Sequence, residues 1–108
     1  MTRFPCPYLG IEVELTEQRE QHIAENHPDL FPEDRDYIAD ALANPDQVLR
    51  SSRSSNARLF SRWYNDLHGG KHVVVVVMSD PAPSVRHWVI TAYIARKLTG
   101  GRIEWTRN

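Results

Sequence analysis

The groups in this chain able to do chemistry are imidazole, guanidinium, hydroxyl and phenol. The stretch HIAENHPDL, residues 22–30, brings His22 and His27 late into a helix whose only apolar residues there are Ile23 and Ala24. Polar groups at an internal boundary need partners or a purpose, and a substrate cleft supplies both. The run ARLFSRWY alternates, so Arg58, Phe60, Arg62 and Tyr64 share one strand face. A guanidinium is a planar fork of donors that matches phosphate. Aromatic rings stack on unpaired bases. Arg50 and Arg53 follow shortly before, in VLRSSRSSN. In VRHWVITAYIAR, period two puts Trp88, Ile90, Ala92 and Ile94 on a core face. His87, Val89, Thr91 and Tyr93 fall on a polar face, with Lys97 just beyond. Arginines beside aromatics suggest single-stranded nucleic acid as the ligand.

Other chemistries are disfavoured. His22 and His27 are five residues apart, about 140° around a helix, whereas paired helical ligands are spaced by four. No CxxC, phosphate-loop or G-x-S-x-G motif occurs. The one cysteine, Cys6, lies between two prolines and cannot form an internal disulfide. We therefore expect no metal, no cofactor and no thiol catalysis.

The 108 residues are enough for one domain, expected to span 1–108, with one core. Hydrophobic content of 41% and charged content of 25% are ordinary for a globular protein. No apolar run approaches the roughly 18 residues of a membrane span, and the first residues lack a signal-peptide core. With a single cysteine, this predicts a cytoplasmic protein without a membrane partner. The net charge of −1 conceals a division. Residues 1–46 carry eleven acids against three bases, and residues 47–108 carry three acids against ten bases. That asymmetry fits a basic region that attracts phosphate. It equally fits two halves that neutralise each other across their interface.

The elements that must position these groups follow from pattern. GIEVELT alternates Ile11, Val13 and Leu15 with glutamates, which is a half-buried edge strand. Thr16 can cap a helix over 17–26, although Arg19 stands where a capping box wants glutamate. Pro28 disfavours helical geometry at His27 and ends that helix. A second helix starts near Pro32, with Asp34 or Asp36 early, and shows the apolar stripe Tyr37, Ile38, Ala41, Leu42. Asn44–Pro45 stops it. QVLR, ARLFSRWY, KHVVVVVM, VRHWVITAYIAR and RIEWT read as strands, KHVVVVVM as a central one covered on both faces. The predicted class is α+β, with an N-terminal strand and two helices packed on an antiparallel β-meander of about four to five strands.

The succession HIAENHPDL, NPDQVLRS, RLFSRWY, GGKHVVVVV and VITAYIARK resembles the BECR nuclease domains, a group named for barnase, EndoU, the colicins and RelE. The likeness is to their phage- and mobile-element-associated branch and covers residues 11 to about 105. It implies a BECR-like domain that cleaves RNA without a metal in a sheet groove, toxin- or phage-associated, with RNA as partner and a protein inhibitor or antitoxin as a second. His27 matches the histidine before proline. Arg50 and Arg53 match the basic residues after the second helix, Arg62 the arginine of the next strand, and Thr91 and Tyr93 the TAY strand. Metal-free cleavage needs a base for the ribose 2′-hydroxyl, an acid for the leaving 5′-oxygen and a fixed cation. With no obvious carboxylate base in the second half, histidine chemistry is favoured: His27 as base or acid, Arg62 and Arg50 clamping phosphate, Thr91 and Tyr93 positioning it or donating a proton. His22, Arg53, Arg58 and Lys97 would add binding contacts. The other reading is a non-catalytic RNA- or protein-binding module of the same fold. The residue-by-residue alternatives are a His27 that only finishes its helix and arginines that are solvated or structural.

Overall fold

The computed structural model describes residues 1–28, 35–81, 83 and 85–107. In chain order the elements are β1 (Thr2–Cys6), β2 (Ile11–Leu15), α1 (Glu17–Asn26), α2 (Arg35–Ala43), β3 (Gln47–Ser51), β4 (Ala57–Tyr64), β5 (Lys71–Ser79), β6 (His87–Ala95) and β7 (Gly101–Thr106). The expected start of α2 at Pro32 and Asp34 falls outside the described residues. Thr16 caps α1 by accepting the Arg19 N–H at 3.3 Å, and α1 ends at Asn26 ahead of His27 and Pro28.

The expected four- to five-stranded meander is not what forms. Among the described residues, seven strands join one mixed sheet in the order β1-β2-β6-β5-β4-β3-β7, with two short helices against it. Two features account for the difference. β1 alternates exposed Arg3 and Pro5 with buried Phe4 and Cys6. Its proline disguises it as a loop, yet at a sheet edge a missing N–H costs little. β2 then pairs in parallel with β6 through Glu14 and Trp88, a contact between segments more than seventy residues apart. The remaining pairings are antiparallel.

The sheet is strongly curled. Flat, seven strands at about 4.8 Å spacing would separate their edges by roughly 29 Å. Yet Tyr8, in the turn after β1, has its ring centroid 5.8 Å from Trp105 of β7, at the opposite edge. The inside of the curl holds the main core: Phe4, Val13, Leu15, Phe60, Val73, Val75, Val77, Val89 and Ala92, closed over by Ile23 of α1 and by Ile38, Ala41 and Leu42 of α2. The outer face has a smaller cluster of Leu49, Leu59 and Val74, over which the β6–β7 crossover lays Leu98. β5 is therefore covered on both faces, as its run of valines predicts. Each fully buried valine contributes roughly 1.5–3 kcal/mol.

One irregularity matters for the site. Val76 pairs with Thr91 but Val77 pairs with Val89, so Ile90 is an extra residue, a β-bulge. The bulge breaks period two within β6. Val89, Ala92 and Ile94 belong to the inner core, not Trp88 and Ile90 as alternation alone predicts. His87 and Val89 lie on the inner face and Thr91 and Tyr93 on the outer, so the four do not form one polar face.

β3 and β7 approach closely where Gly101 pairs with Ser51. A Cβ on Gly101 would lie 2.6 Å from the Arg50 carbonyl oxygen, an atom of backbone that cannot step aside. Gly69 has a positive φ of 78° but open space around it. Gly101→Ala should therefore lower stability in urea by about 2 kcal/mol or more, and Gly69→Ala by only about 1 kcal/mol. Equal losses at the two positions would refute a tight β3–β7 contact.

Candidate functional site

The outer face carries a cavity of about 330 Å³ lined by Ser51, Arg53, Leu59, Val76, Thr91, Tyr93, Thr99 and Gly100. Thr91 and Tyr93 are there because the bulge turns them outward. Thr91 Oγ1 is buried and lacks a hydrogen-bond partner among the described residues. An unpaired buried hydroxyl costs about 1–3 kcal/mol, a cost that a bound ligand removes. Burial pushes the Tyr93 phenol above its usual range, although the nearby Arg53 charge opposes this. Tyr93 therefore stays a neutral hydrogen-bond donor. Arg53 is exposed, and its guanidinium has no hydrogen-bond or ion-pair partner among the described residues.

His27 reaches this face from the end of α1. Its N–H bonds to the Ile23 carbonyl at 2.7 Å, and its backbone then leaves the helix at φ −137° and ψ 62°. The imidazole lies 5.8 Å, centroid to centroid, from the Tyr93 ring. Thr91 and Tyr93 of β6 thus share a cavity with Arg53 of the β3–β4 loop, and His27, from the end of a helix, stands against the Tyr93 ring.

The other expected site residues go elsewhere. Arg62 shares the inner face with Phe60, across the sheet from Thr91. It donates to the Asn44 carbonyl at 2.6 Å just past α2, and its guanidinium carbon lies 5.7 Å from the Tyr64 ring centroid. It sits at the end of a helix, with its Nε buried and without a hydrogen-bond partner among the described residues. Arg50 and Arg58 are also inward, both bonded to Glu104 at 2.8 Å through Nε. His22 stays on its own helix, where the Asn26 amide lies 3.4 Å from its Nδ1 and donates to its carbonyl. Lys97 is exposed on the crossover. The grouping of all these residues into one pocket is thereby corrected: of the four expected to act in catalysis, Thr91 and Tyr93 line one cavity, His27 lies against the Tyr93 ring and Arg62 is on the other face, while Arg53 is the arginine in the cavity lining.

Glu104 is the carboxylate of the second half that sequence reasoning passed over. It accepts from Tyr8, Arg50 and Arg58 together and so ties the β1–β2 turn to β3, β4 and β7. No local pattern signals this, since its partners lie 46 to 96 residues away. Burial alone would raise its pKa, but the Tyr8 and Arg58 hydrogen bonds and the arginine charges hold it below 4.5. His87 is occupied by Ser79, with Oγ and Nδ1 2.5 Å apart. Opposite-charge pairs between the two halves of the chain are few among the described residues: Arg86 with Glu14 at 3.1 Å and Arg107 with Asp46 at 3.9 Å. Mutual neutralisation across the interface therefore explains little of the charge division.

A second outer-face cavity, about 310 Å³, lies beyond Leu98 and is lined by Asp46, Gln47, Ser61, His72, Thr106 and Arg107. The Asp46 carboxylate makes it a poorer host for phosphate. Among the described residues no group of three or more His, Cys, Asp or Glu side chains is placed to hold a metal. Nor is any helix among them long and apolar enough to cross a membrane. Comparison of the chain with family models, with curated proteins and with solved structures returned no match.

Stability should fall with acid in two stages. Burial lowers the pKa of His72 and of His87, the latter helped by the Arg58 charge, from 6.5. Groups depressed on folding stabilise fully above their unfolded pKa and lose that contribution as pH falls through the folded value. The histidines therefore act from pH 6.5 downward. Glu104, held below 4.5, acts from pH 4.5 downward. Urea midpoints measured from pH 8 to pH 3 should show both stages, and Glu104→Gln should remove only the lower one. An unchanged acid limb in that variant would deny Glu104 its clasping role.

Proposed function

We propose that the outer face binds single-stranded RNA and cleaves it without a metal, with the scissile phosphodiester in the Thr91–Tyr93 cavity. The observation that carries this reading is the buried, unpaired Thr91 hydroxyl in a cavity that also presents a neutral phenol and an uncommitted guanidinium, with the His27 ring against that phenol's ring. Arg53 offsets the charge gained at phosphorus, and Thr91 donates to a non-bridging oxygen. His27 takes the 2′-hydroxyl proton while the 2′-oxygen forms its bond to phosphorus. Tyr93, retained as a phenol, protonates the departing 5′-oxygen. The products are a 2′,3′-cyclic phosphate and a 5′-hydroxyl. Association with a phage or toxin system, and a protein antitoxin, belong to this proposal only through the resemblance to the BECR nucleases.

A second reading, an RNA-binding module that does not cut, is favoured by one feature: the cavity lining holds neither an imidazole nor a carboxylate, and His27 is placed only against the Tyr93 ring. Single-stranded RNA incubated with the purified chain in EDTA separates the two. Cleavage giving cyclic phosphate ends is expected, with a loss of about 100-fold in His27→Ala and about tenfold in Thr91→Val. Arg62→Lys should lower stability and leave the rate unchanged, because Arg62 faces the other side of the sheet. RNA that is bound but stays intact establishes the binding module. RNA that is neither bound nor cut defeats both readings.

A further inference from the structure

Beside the Thr91–Tyr93 cavity lies a larger one, about 520 Å³, lined by the loop Ser51–Ser55 together with Arg50, Gly101 and Arg102. Its lining contains no carboxylate, and its polar side chains are all donors or hydroxyls. Arg50 is neutralised by Glu104. Arg53 and Arg102 have no hydrogen-bond or ion-pair partner among the described residues, so two positive charges remain.

The serine hydroxyls are not equivalent. Ser52 donates to the Gly100 carbonyl at 3.0 Å, which uses its proton. Ser51 and Ser54 instead accept, from the Arg53 and Asn56 N–H groups. An oxygen that accepts leaves its own O–H available to donate. Ser55 uses only its backbone carbonyl, so among the described residues the loop holds three hydroxyl protons uncommitted, those of Ser51, Ser54 and Ser55, beside two guanidinium groups. This is the chemistry of an anion site.

The two cavities share Ser51 and Arg53. We infer that the Ser51–Ser55 loop and Arg102 form a second phosphate subsite, which takes the phosphate adjoining the one held at Thr91. The inference rests on the proposed RNA reading for the identity of the ligand. It makes the protein one that requires two successive phosphates, and it assigns Arg102 a binding role.

The test uses uridine dinucleotides blocked against cleavage by a 2′-O-methyl group, with one bridging phosphate alone or with a further phosphate on the 5′ or the 3′ end. One of the doubly phosphorylated forms should bind about tenfold tighter than the singly phosphorylated one. Arg102→Ala should erase that gain, leave the affinity for one phosphate within about twofold, and reduce the salt slope by about 0.7. A gain at neither end, or a gain that survives Arg102→Ala, overturns the subsite. Inorganic phosphate, followed through the amide resonances of residues 51–55, separates the failures. If it shifts those amides while no dinucleotide binds, the anion site stands and the RNA reading falls. If phosphate shifts nothing and no dinucleotide binds, both fall.

Discussion

A curled sheet is the constraint from which the rest of this structure follows. With two short helices among the described residues to cover it, the sheet cannot bury a flat inner face. Rolling it lets the strands supply most of their own cover, as Phe4, Val13 and Leu15 from one end meet Phe60 and the β5 valines from the middle. The roll is held where its two edges come together. There Tyr8 packs on Trp105 and Phe60 and shares Glu104 with Arg50 and Arg58. A carboxylate that meets two guanidinium groups and a phenol is well satisfied, and its side chain is only about one-fifth exposed. The cluster costs the protein two arginines for binding, since both are neutralised inside the curl.

Curling also decides what the outer face can do. The crossover from β6 to β7 has to pass over the sheet to reach the far edge, and Leu98 anchors it on Leu49, Leu59 and Val74. This strap divides the outer face into separate cavities. Their electrostatics differ: Asp46 marks one side, while the unpaired Arg53 marks the other. The basic surplus of residues 47–108 is therefore not spread evenly. Part of it is locked to Glu104, part bonds to backbone at Asn44 and Pro45, and part remains open at the β3–β4 loop.

The bulge at Ile90 connects fold to site. Without it, strict alternation would bring Thr91 and Tyr93 onto the face of Val89, inside the core. One added residue turns them outward, toward His27 and Arg53. A hydroxyl left unpaired in that position is a local cost to stability. The surrounding pairings of β5 and β6, continuous on either side of the bulge, outweigh it.

Much of the local structure was decided by residue order alone. Thr16 and Pro28 bound α1, Asn44–Pro45 ends α2, and the period-two runs mark β2 and β4, because capping, proline sterics and alternation act over a few residues. The doubly covered β5 and the shared face of Arg58, Phe60, Arg62 and Tyr64 were legible for the same reason. The parallel pairing of β2 with β6, the bulge, and the meeting of Tyr8 with Glu104 were not, since each depends on which distant segment lies opposite. The site divides on the same line. His27, Arg53, Thr91 and Tyr93 could be singled out by residue type. That Arg62 lies across the sheet from Thr91 and Tyr93, and that Arg53 is the arginine beside them, is decided only when the strands are stacked and a face becomes either core or surface.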